Sequence, residues 1–92
     1  MNIEWDEKKN QINIKKHGVS FGLAAHVFTD PLRKEIYDAW HRGLKEDRII
    51  AIGLVESRLL FVNFTEPDSE TIRIISARKA NMHERRYYYG DC

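Results

Sequence analysis

The stretch 48-RIIAIGLVESRLLFVNFT-65 decides the fold of this chain. Residues 48–56 and 58–65 are each rich in branched and aromatic apolar side chains, which is typical of central β-strands. Only the tight turn "ESR" joins the two runs. A connection this short pairs antiparallel neighbours, because a parallel return needs a crossover of a dozen or more residues. The stretch therefore predicts a hairpin at the centre of an antiparallel sheet.

The flanking segments predict further strands. Residues 33–39 (RKEIYDA) have the charges that are typical of an edge strand, and residues 2–5 (NIEW) form a short extended start. Residues 70–78 (ETIRIISAR) follow the turn "EPDS" and predict the last strand. Strict alternation there would place Ile72, Ile74 and Ser76 on one face and Thr71, Arg73, Ile75 and Ala77 on the other.

Three helices are predicted around these strands. Asp6 can cap a first helix that runs to His17 and ends at Gly18, with Trp5 and Ile12 directed toward the core. Ser20 can cap a second helix, whose apolar face is formed by Phe21, Ala24, Ala25 and Phe28. A short third helix begins at Asn81. The predicted fold class is α+β: two N-terminal helices on a three- to four-stranded antiparallel sheet, a short C-terminal helix, and helices covering one face.

Length, charge and cysteine content restrict the class of protein. Ninety-two residues predict one domain over 1–92, and a formal net charge of +1 means that any anion site must come from local clustering. The single cysteine, Cys92, excludes an intrachain disulfide and favours a reducing compartment. The sequence has neither a membrane-spanning apolar run nor a signal peptide, so we expect a cytoplasmic protein that does not bind membranes.

Cations concentrate at the end of the last strand. Arg73, Arg78 and Lys79 are followed within two helical turns by His83, Arg85 and Arg86. These charges could bind an anion, or they could form a solvated strand end with Glu84 paired to an arginine. Surface pairs of that kind contribute only about 0–1 kcal/mol and need no functional cause.

A second cationic cluster is predicted on the first helix. Lys9, Asn13, Lys16 and His17 fall at i, i+4, i+7 and i+8 and would share one helical face. Such donors suit contacts with phosphates. The alternative is that basic residues in a last helical turn simply compensate the helix dipole.

Other chemistries have little support in the sequence. The four histidines have no metal-ligand spacing, so no metal and no cofactor are expected. There is also no glycine-rich phosphate loop and no nucleophile elbow.

Two blocks together resemble the BrnT family, the toxins of type II toxin–antitoxin systems. They are "WDEKKNQINIKKHGVSF" near the start and "IRIISARKANMHERRYY" near the end. The first block carries the family pattern at Trp5, Asp6, Lys9, Asn13, Lys16, His17, Gly18, Val19, Phe21 and, beyond the block, Ala24. The second carries it at Arg73, Ile74, Ile75, Ser76, Ala77, Arg78, Ala80, Glu84, Arg85 and Tyr88.

This resemblance implies a RelE-like ribonuclease that cuts RNA and stops translation. It also implies a BrnA antitoxin of ribbon-helix-helix type, with operator DNA bound only through that antitoxin. For metal-independent cleavage we expect Arg73 and Arg78 to stabilise the transition-state phosphate, Lys16 to position the backbone, and His17 to transfer a proton. His83 and Glu66 are further proton-transfer candidates. The expected RNA-binding residues are Lys9, Asn13, Arg58 and Lys79.

One departure from the family pattern affects these expectations. BrnT sequences commonly show "TER" after the third strand, and this chain has Thr65-Glu66-Pro67. Arg58 could replace the missing arginine. Alternatively, the chain is a degenerate toxin that binds its antitoxin as a co-repressor without cutting RNA, and a small RNA-binding domain outside any toxin system is a third possibility.

Overall fold

The computed structural model describes residues 1–37 and 48–90. The strands are β1 (Asn2–Glu4), β2 (Lys34–Tyr37), β3 (Arg48–Val55), β4 (Arg58–Asp68) and β5 (Thr71–Lys79), and the helices are α1 (Glu7–His17), α2 (Phe21–Ala24), which continues as a 3-10 helix over Ala25–Thr29, and α3 (Met82–Tyr89). All the predicted elements within the described ranges are present. The predicted ends of the edge strand, Asp38 and Ala39, lie outside the described residues, as does Cys92.

The sheet has five strands in the order β1-β5-β4-β3-β2, with the predicted hairpin at its centre. The expectation of three or four antiparallel strands was wrong, because β1 adds a fifth strand that runs parallel to β5. The register pairs Ile3 of β1 with Ile72 of β5, two residues that lie far apart in the sequence. Turn signals report only on neighbouring strands, so they could not reveal a pairing between the two ends of the sequence.

The helices lie on both faces of the sheet, which corrects the expectation that they cover one. The larger core is formed by α2, the 3-10 helix and one face of the sheet, with Phe21 and Phe64 among its fully buried side chains. A smaller core on the other face joins Tyr88 of α3 to Ile52 and Leu59. The aromatic side chain of Tyr88 therefore fastens α3 to the face opposite α2.

A β-bulge reverses the expected alternation in β5. Phe64 pairs with Ile74 and Asn63 pairs with Ser76, so Ile75 is an extra residue without a partner in β4. Ala77 consequently lies in the larger core. The neighbours of Ala77 in β5, Ser76 and Arg78, therefore lie on the opposite face, which carries α3. The predicted face assignment of Ser76 and Ala77 was wrong because periodicity alone cannot locate a bulge.

Helix α1 begins and ends where the sequence predicts but packs differently. The Asp6 side chain accepts from the backbone N–H groups of Lys8 and Lys9, and Gly18 closes the helix at φ 71°. The expected apolar contact of Ile12 is absent, since its side chain is 64% exposed. The buried residues of α1 are instead Asn10 and Asn13. This helix is held by polar groups.

Candidate nucleic-acid interface

The face of the sheet that carries α3 also presents three arginines. Strand pairing aligns Glu4, Arg73, Thr65 and Arg48 in one row across β1, β5, β4 and β3. The next row aligns Ser76, Asn63 and Ile50, and the one after it aligns Arg78, Phe61 and Ile52. We call the surface formed by Arg48, Asn63, Thr65, Arg73, Ser76 and Arg78 the arginine face.

Arg78 reaches this face because of the bulge. In a regular strand, residues 73 and 78 would point to opposite sides, whereas the extra residue at Ile75 brings both arginines to the same side. The two predicted catalytic arginines are therefore brought to one surface.

Arg78 is held firmly at the edge of α3. Its two terminal nitrogens donate to the two carboxylate oxygens of Glu84 at 2.9 and 2.8 Å, and one of them also donates to the carbonyl of Lys79. Its guanidinium carbon lies 3.9 Å from the centroid of the Phe61 ring. A bidentate pair combined with stacking fixes both the position and the plane of the guanidinium.

Glu84 is kept ionised by its surroundings. Burial raises the pKa of its carboxyl, but the hydrogen bonds from Arg78 and from the Asn81 backbone, with the charges of Arg78 and His83, outweigh burial and lower the pKa overall. The same carboxylate completes a capping box with Asn81 at the start of α3. Glu84 thus couples the helix start to the placement of Arg78.

Arg73 is also ion-paired. Its Nε lies 2.7 Å from a carboxylate oxygen of Glu4, the residue next to it on β1, and both side chains are nearly half exposed. This contact depends on the parallel pairing of β1. The sequence predicted the importance of Arg73 but could not predict its partner.

Arg48 is a cation of this face that sequence reasoning missed. It is the first residue of β3, and it alternates with the buried Ile49 of the larger core, so it lies on the same face as Ile50. The signal was present in "RIIAIGLVE", where alternation from Ile50 and Ile52 already places Arg48 beside them.

Two buried polar atoms at the arginine face have no hydrogen-bond partner among the residues that the structure describes. They are the hydroxyl of Thr65, a residue only 1% exposed, and the side-chain oxygen of Asn63. Unpaired buried polar atoms cost stability, so native proteins keep few of them, and a functional role or a bound water or ion is the usual explanation.

Helix α1 is joined to β5 immediately before Arg78. The Asn13 amide donates to the carbonyls of Val19 and Ala77, each at 2.8 Å, and its oxygen accepts from the N–H of Ala77 at 3.2 Å. Because β1 ends at Glu4, opposite Arg73, the Asn13 side chain takes the place of a neighbouring strand at Ala77.

This contact corrects the predicted role of Asn13. The residue is 6% exposed and its amide is fully used within the protein, so it does not share the exposed stripe with Lys9 and Lys16. Lys9 and Lys16 are exposed, and His17 is half-buried in the last turn. Asn13 serves to place that last turn beside the strand that carries Arg78.

A basic groove lies at the end of the sheet near the start of α3. It has a volume of about 210 Å³ and is lined by the predicted RNA-binding residues Arg58 and Lys79, by Arg85, and by Ser57, Leu59 and Ala80. Within the described part of the chain, none of these three cations pairs with a carboxylate. Arg85 belongs to the C-terminal block that carries the family resemblance, but the sequence predicted no function for its charge.

Pro67, at which the resemblance implies an arginine, lies in an irregular part of β4. Thr65 pairs with Arg73 and Asp68 pairs with Thr71, so Glu66 and Pro67 together oppose a single residue. A proline is tolerated at a bulge because its missing N–H is not needed there. Arg58 lies at the opposite end of β4, whereas Arg48 pairs directly with Thr65.

Other sites have weaker support in the structure. A cleft of about 560 Å³ between α2 and the β3–β4 turn is lined by Ser20, His26, Glu56 and others, without a cationic side chain of lysine or arginine. In residues 1–37 and 48–90, no group of histidine, cysteine and acidic side chains could hold a metal ion. Over the same ranges, no helix is long and apolar enough to cross a membrane.

Two comparisons with known proteins identify the family and agree with the fold. A family model described as the ribonuclease toxin BrnT of type II toxin–antitoxin systems matches residues 5–84. The crystal structure of the Brucella abortus ribonuclease toxin BrnT is similar, with a TM-score of 0.68 and 36% sequence identity, over 89% of this chain and 99% of that chain. No curated protein matches the sequence. From these matches, the chain belongs to the BrnT family of ribonuclease toxins of type II toxin–antitoxin systems.

Proposed function

We infer that this chain is an endoribonuclease that cleaves RNA without a metal ion and thereby inhibits translation in the cytoplasm. The family membership supports this activity, and one observation carries the placement of the site. Asn13 bonds to Ala77 and so joins the basic end of α1 to the strand end that bears Arg78. The two basic segments that lie far apart in the sequence therefore adjoin in the fold.

The proposed chemistry is attack of a ribose 2′-hydroxyl, which gives up its proton, on the adjacent phosphorus. The bond from phosphorus to the 5′-oxygen of the next nucleotide breaks, that oxygen takes up a proton, and a 2′,3′-cyclic phosphate remains on the other fragment. Arg78 and Arg73 stabilise the growing charge on the phosphate oxygens, and Lys16 holds the RNA backbone. His17 transfers a proton, with His83 and Glu66 as alternatives. Arg78 is ion-paired with Glu84, and Arg73 is ion-paired with Glu4. Each guanidinium group must therefore divide its N–H donors between that carboxylate and the RNA phosphate.

The RNA backbone on either side of the cleaved bond needs further cations. We propose that Lys9 contacts the strand from α1 and that Arg58, Lys79 and Arg85 bind a phosphate in the basic groove. Three cations without a carboxylate partner in the described residues favour an anionic ligand, since a nearly neutral chain had acidic side chains available to pair them. Asn13 is excluded from this set by its burial.

The partner proposed from the family is a BrnA-type antitoxin with a ribbon-helix-helix DNA-binding part. The complex would repress its own operon, with DNA bound only through the antitoxin. An antitoxin that covers the arginine face should present acidic side chains. Burying these guanidinium groups without opposite charges would leave them unpaired, which costs on the order of several kcal/mol for each charge.

Purified protein incubated with single-stranded RNA in excess EDTA tests the proposed activity. We expect cleavage to continue in EDTA, to stop when all ribose 2′-hydroxyls are replaced by hydrogen, and to be relieved by the cognate antitoxin. Cleavage that requires a divalent metal, or that also occurs in the deoxy strand, would contradict the mechanism.

A second candidate function is a co-repressor that has lost cleavage. It is favoured by Pro67 in place of the family's arginine and by the ion pairs that already engage Arg73 and Arg78. In the same assay this candidate predicts antitoxin binding and operator repression with intact RNA.

A further inference from the structure

Arg48 differs from the other two arginines of the arginine face in its surroundings. Arg73 is paired with Glu4 and Arg78 with Glu84. Arg48, which is only partly exposed, makes no ion pair or hydrogen bond through its side chain with the described residues. A phosphate can therefore bind Arg48 without displacing a carboxylate.

The neighbours of Arg48 are the two polar groups without partners. Thr65 is its direct partner in β4, and Asn63 pairs with Ile50, the next residue on the same face of β3. Both atoms are covered by the protein, so they can meet a ligand only when the groups above them move aside. The Thr65 hydroxyl can then donate to a phosphate oxygen, while the side-chain oxygen of Asn63 can only accept a hydrogen. A ribose with its phosphate offers both: an anionic oxygen and a 2′-hydroxyl hydrogen.

We propose that Arg48, with Thr65 and Asn63, forms a nucleotide subsite that anchors an RNA phosphate next to the cleaved bond. This inference rests on the proposed ribonuclease function. In the register of the sheet, Arg48 and Thr65 share a row with Arg73, Asn63 shares the next row with Ser76, and Arg78 lies one row further. Neighbouring strands are spaced roughly 5 Å apart, and successive rows on one face roughly 7 Å apart. Arg48 is a binding residue in this account, and Arg78 and Arg73 act on the reacting phosphate.

The position of Arg48 also bears on the missing arginine of the family pattern. The sequence suggested Arg58 as its replacement, but Arg58 pairs with Val55 at the hairpin end of β4. Arg48 instead lies across from Thr65, the residue that begins the altered segment Thr65-Glu66-Pro67. Arg48 is therefore closer in register to this segment than Arg58 is.

Binding to an uncleavable oligonucleotide tests the subsite without relying on catalysis. The probe is a fluorescent single-stranded 2′-O-methyl RNA dodecamer, which retains every phosphate but has no nucleophilic hydroxyl. It also lacks the hydrogen that Asn63 would accept, so it tests the phosphate contact of Arg48. We expect Arg48→Ala to weaken binding about tenfold near 0.1 M salt and to reduce the slope of log K against log salt by about 0.7, the value for one lost phosphate contact on a single strand. Arg48→Lys should restore the slope.

Arg33→Ala is the matched control, because Arg33 is also partly exposed but is paired with Glu35 away from the arginine face. It removes the same charge, and we expect it to leave the slope unchanged. Thermal unfolding of each variant confirms that the fold is retained. If Arg48→Ala and Arg33→Ala bind the probe with equal affinity and equal slope, the subsite does not exist.

The outcomes also separate this inference from the proposed function. Wild-type protein that cleaves RNA normally while Arg48→Ala binds and cleaves like the control overturns the subsite alone. Wild-type protein that binds the probe through Arg48 but cuts no RNA overturns the nuclease, and with it the position of the subsite next to a cleaved bond, while the phosphate contact of Arg48 stands. Absence of any binding by the wild type overturns both.

Discussion

The hydroxyl of Tyr88 donates a 2.5 Å hydrogen bond to the carboxylate of Asp30, and this contact fastens α3 to the end of the 3-10 helix. The same carboxylate oxygen accepts from the backbone N–H of Leu54. Since α3 also carries Glu84, the partner of Arg78, the position of the proposed catalytic arginine depends on how firmly α3 is held.

Replacing Tyr88 by Phe should remove this contact while keeping the ring in the smaller core. Tyr88 is 8% exposed and its partner is ionised, so we expect a loss of about 1.5–3 kcal/mol in the free energy of unfolding. Urea unfolding measures it. Tyr87→Phe is the control, because Tyr87 is 51% exposed, and it should change stability by less than about 0.5 kcal/mol. Equal stability of the two variants would mean that the contact is not formed.

The same contact predicts a dependence of stability on alkaline pH. Burial of the hydroxyl, the hydrogen bond to Asp30 and the charge of Asp30 raise the pKa of Tyr88 to about 12. An unfolded tyrosine ionises near pH ~10, so the folded state holds its proton more tightly and the stabilisation is fully present below that pH. It is lost as the pH rises toward the folded value. The stability difference between wild type and Tyr88→Phe should be constant at neutral pH and shrink above pH ~10. A difference that grows with alkaline pH would contradict the assignment.

We expect any side chain at Gly53 to lower the stability of the fold. A Cβ at this position of β3 would lie 2.8 Å from a methyl group of Val27 and 3.2 Å from its carbonyl oxygen. Gly53→Ala must therefore displace the 3-10 helix, and we expect a destabilisation of about 1–3 kcal/mol by thermal or urea unfolding. Gly22→Ala is the matched control, because a Cβ there has nothing closer than 3.9 Å. Equal melting temperatures for both variants would show that the helix packs less closely.

Asn13→Ala should destabilise the protein and disturb the proposed site together. It leaves the N–H and carbonyl of Ala77 and the carbonyl of Val19 without their partner, which we expect to cost about 2–4 kcal/mol. Gln11→Ala, on the exposed side of the same helix, should cost far less. Hydrogen exchange at the amide of Ala77 locates the effect. Unchanged protection there would mean that α1 is not anchored by Asn13.

Local signals predicted most of the fold. The caps at Asp6 and Asn81, the left-handed end at Gly18 and the short turn in the central hairpin each depend on a few adjacent residues, and the sequence contains them. The parallel pairing of β1 and the position of α3 on the opposite face depend on contacts between distant segments. Neither leaves a periodic signal, so both were missed.

The sequence suggested which residues to consider for the site, but not their geometry. Arg73 and Arg78 were proposed from the sequence, and their position on one face depends on one extra residue in β5, while their partners Glu4 and Glu84 come from other elements. Asn13 was mistaken for an exposed donor because helical spacing places it near Lys9 and Lys16 without showing which side meets the sheet. Arg48 was overlooked because it begins a strand whose other residues are apolar.

The central claim is that the Arg78 guanidinium acts on the phosphate that is cleaved. Single-turnover RNA cleavage in EDTA, by Arg78→Ala in a Glu84→Gln background, tests it most directly, because the Gln keeps the cap of α3 and leaves no unpaired carboxylate. Glu84→Gln alone is the reference. We predict cleavage at least about 100-fold slower in the double variant, the loss expected for one transition-state donor, with equal thermal unfolding. Equal cleavage rates in the two proteins would contradict the account.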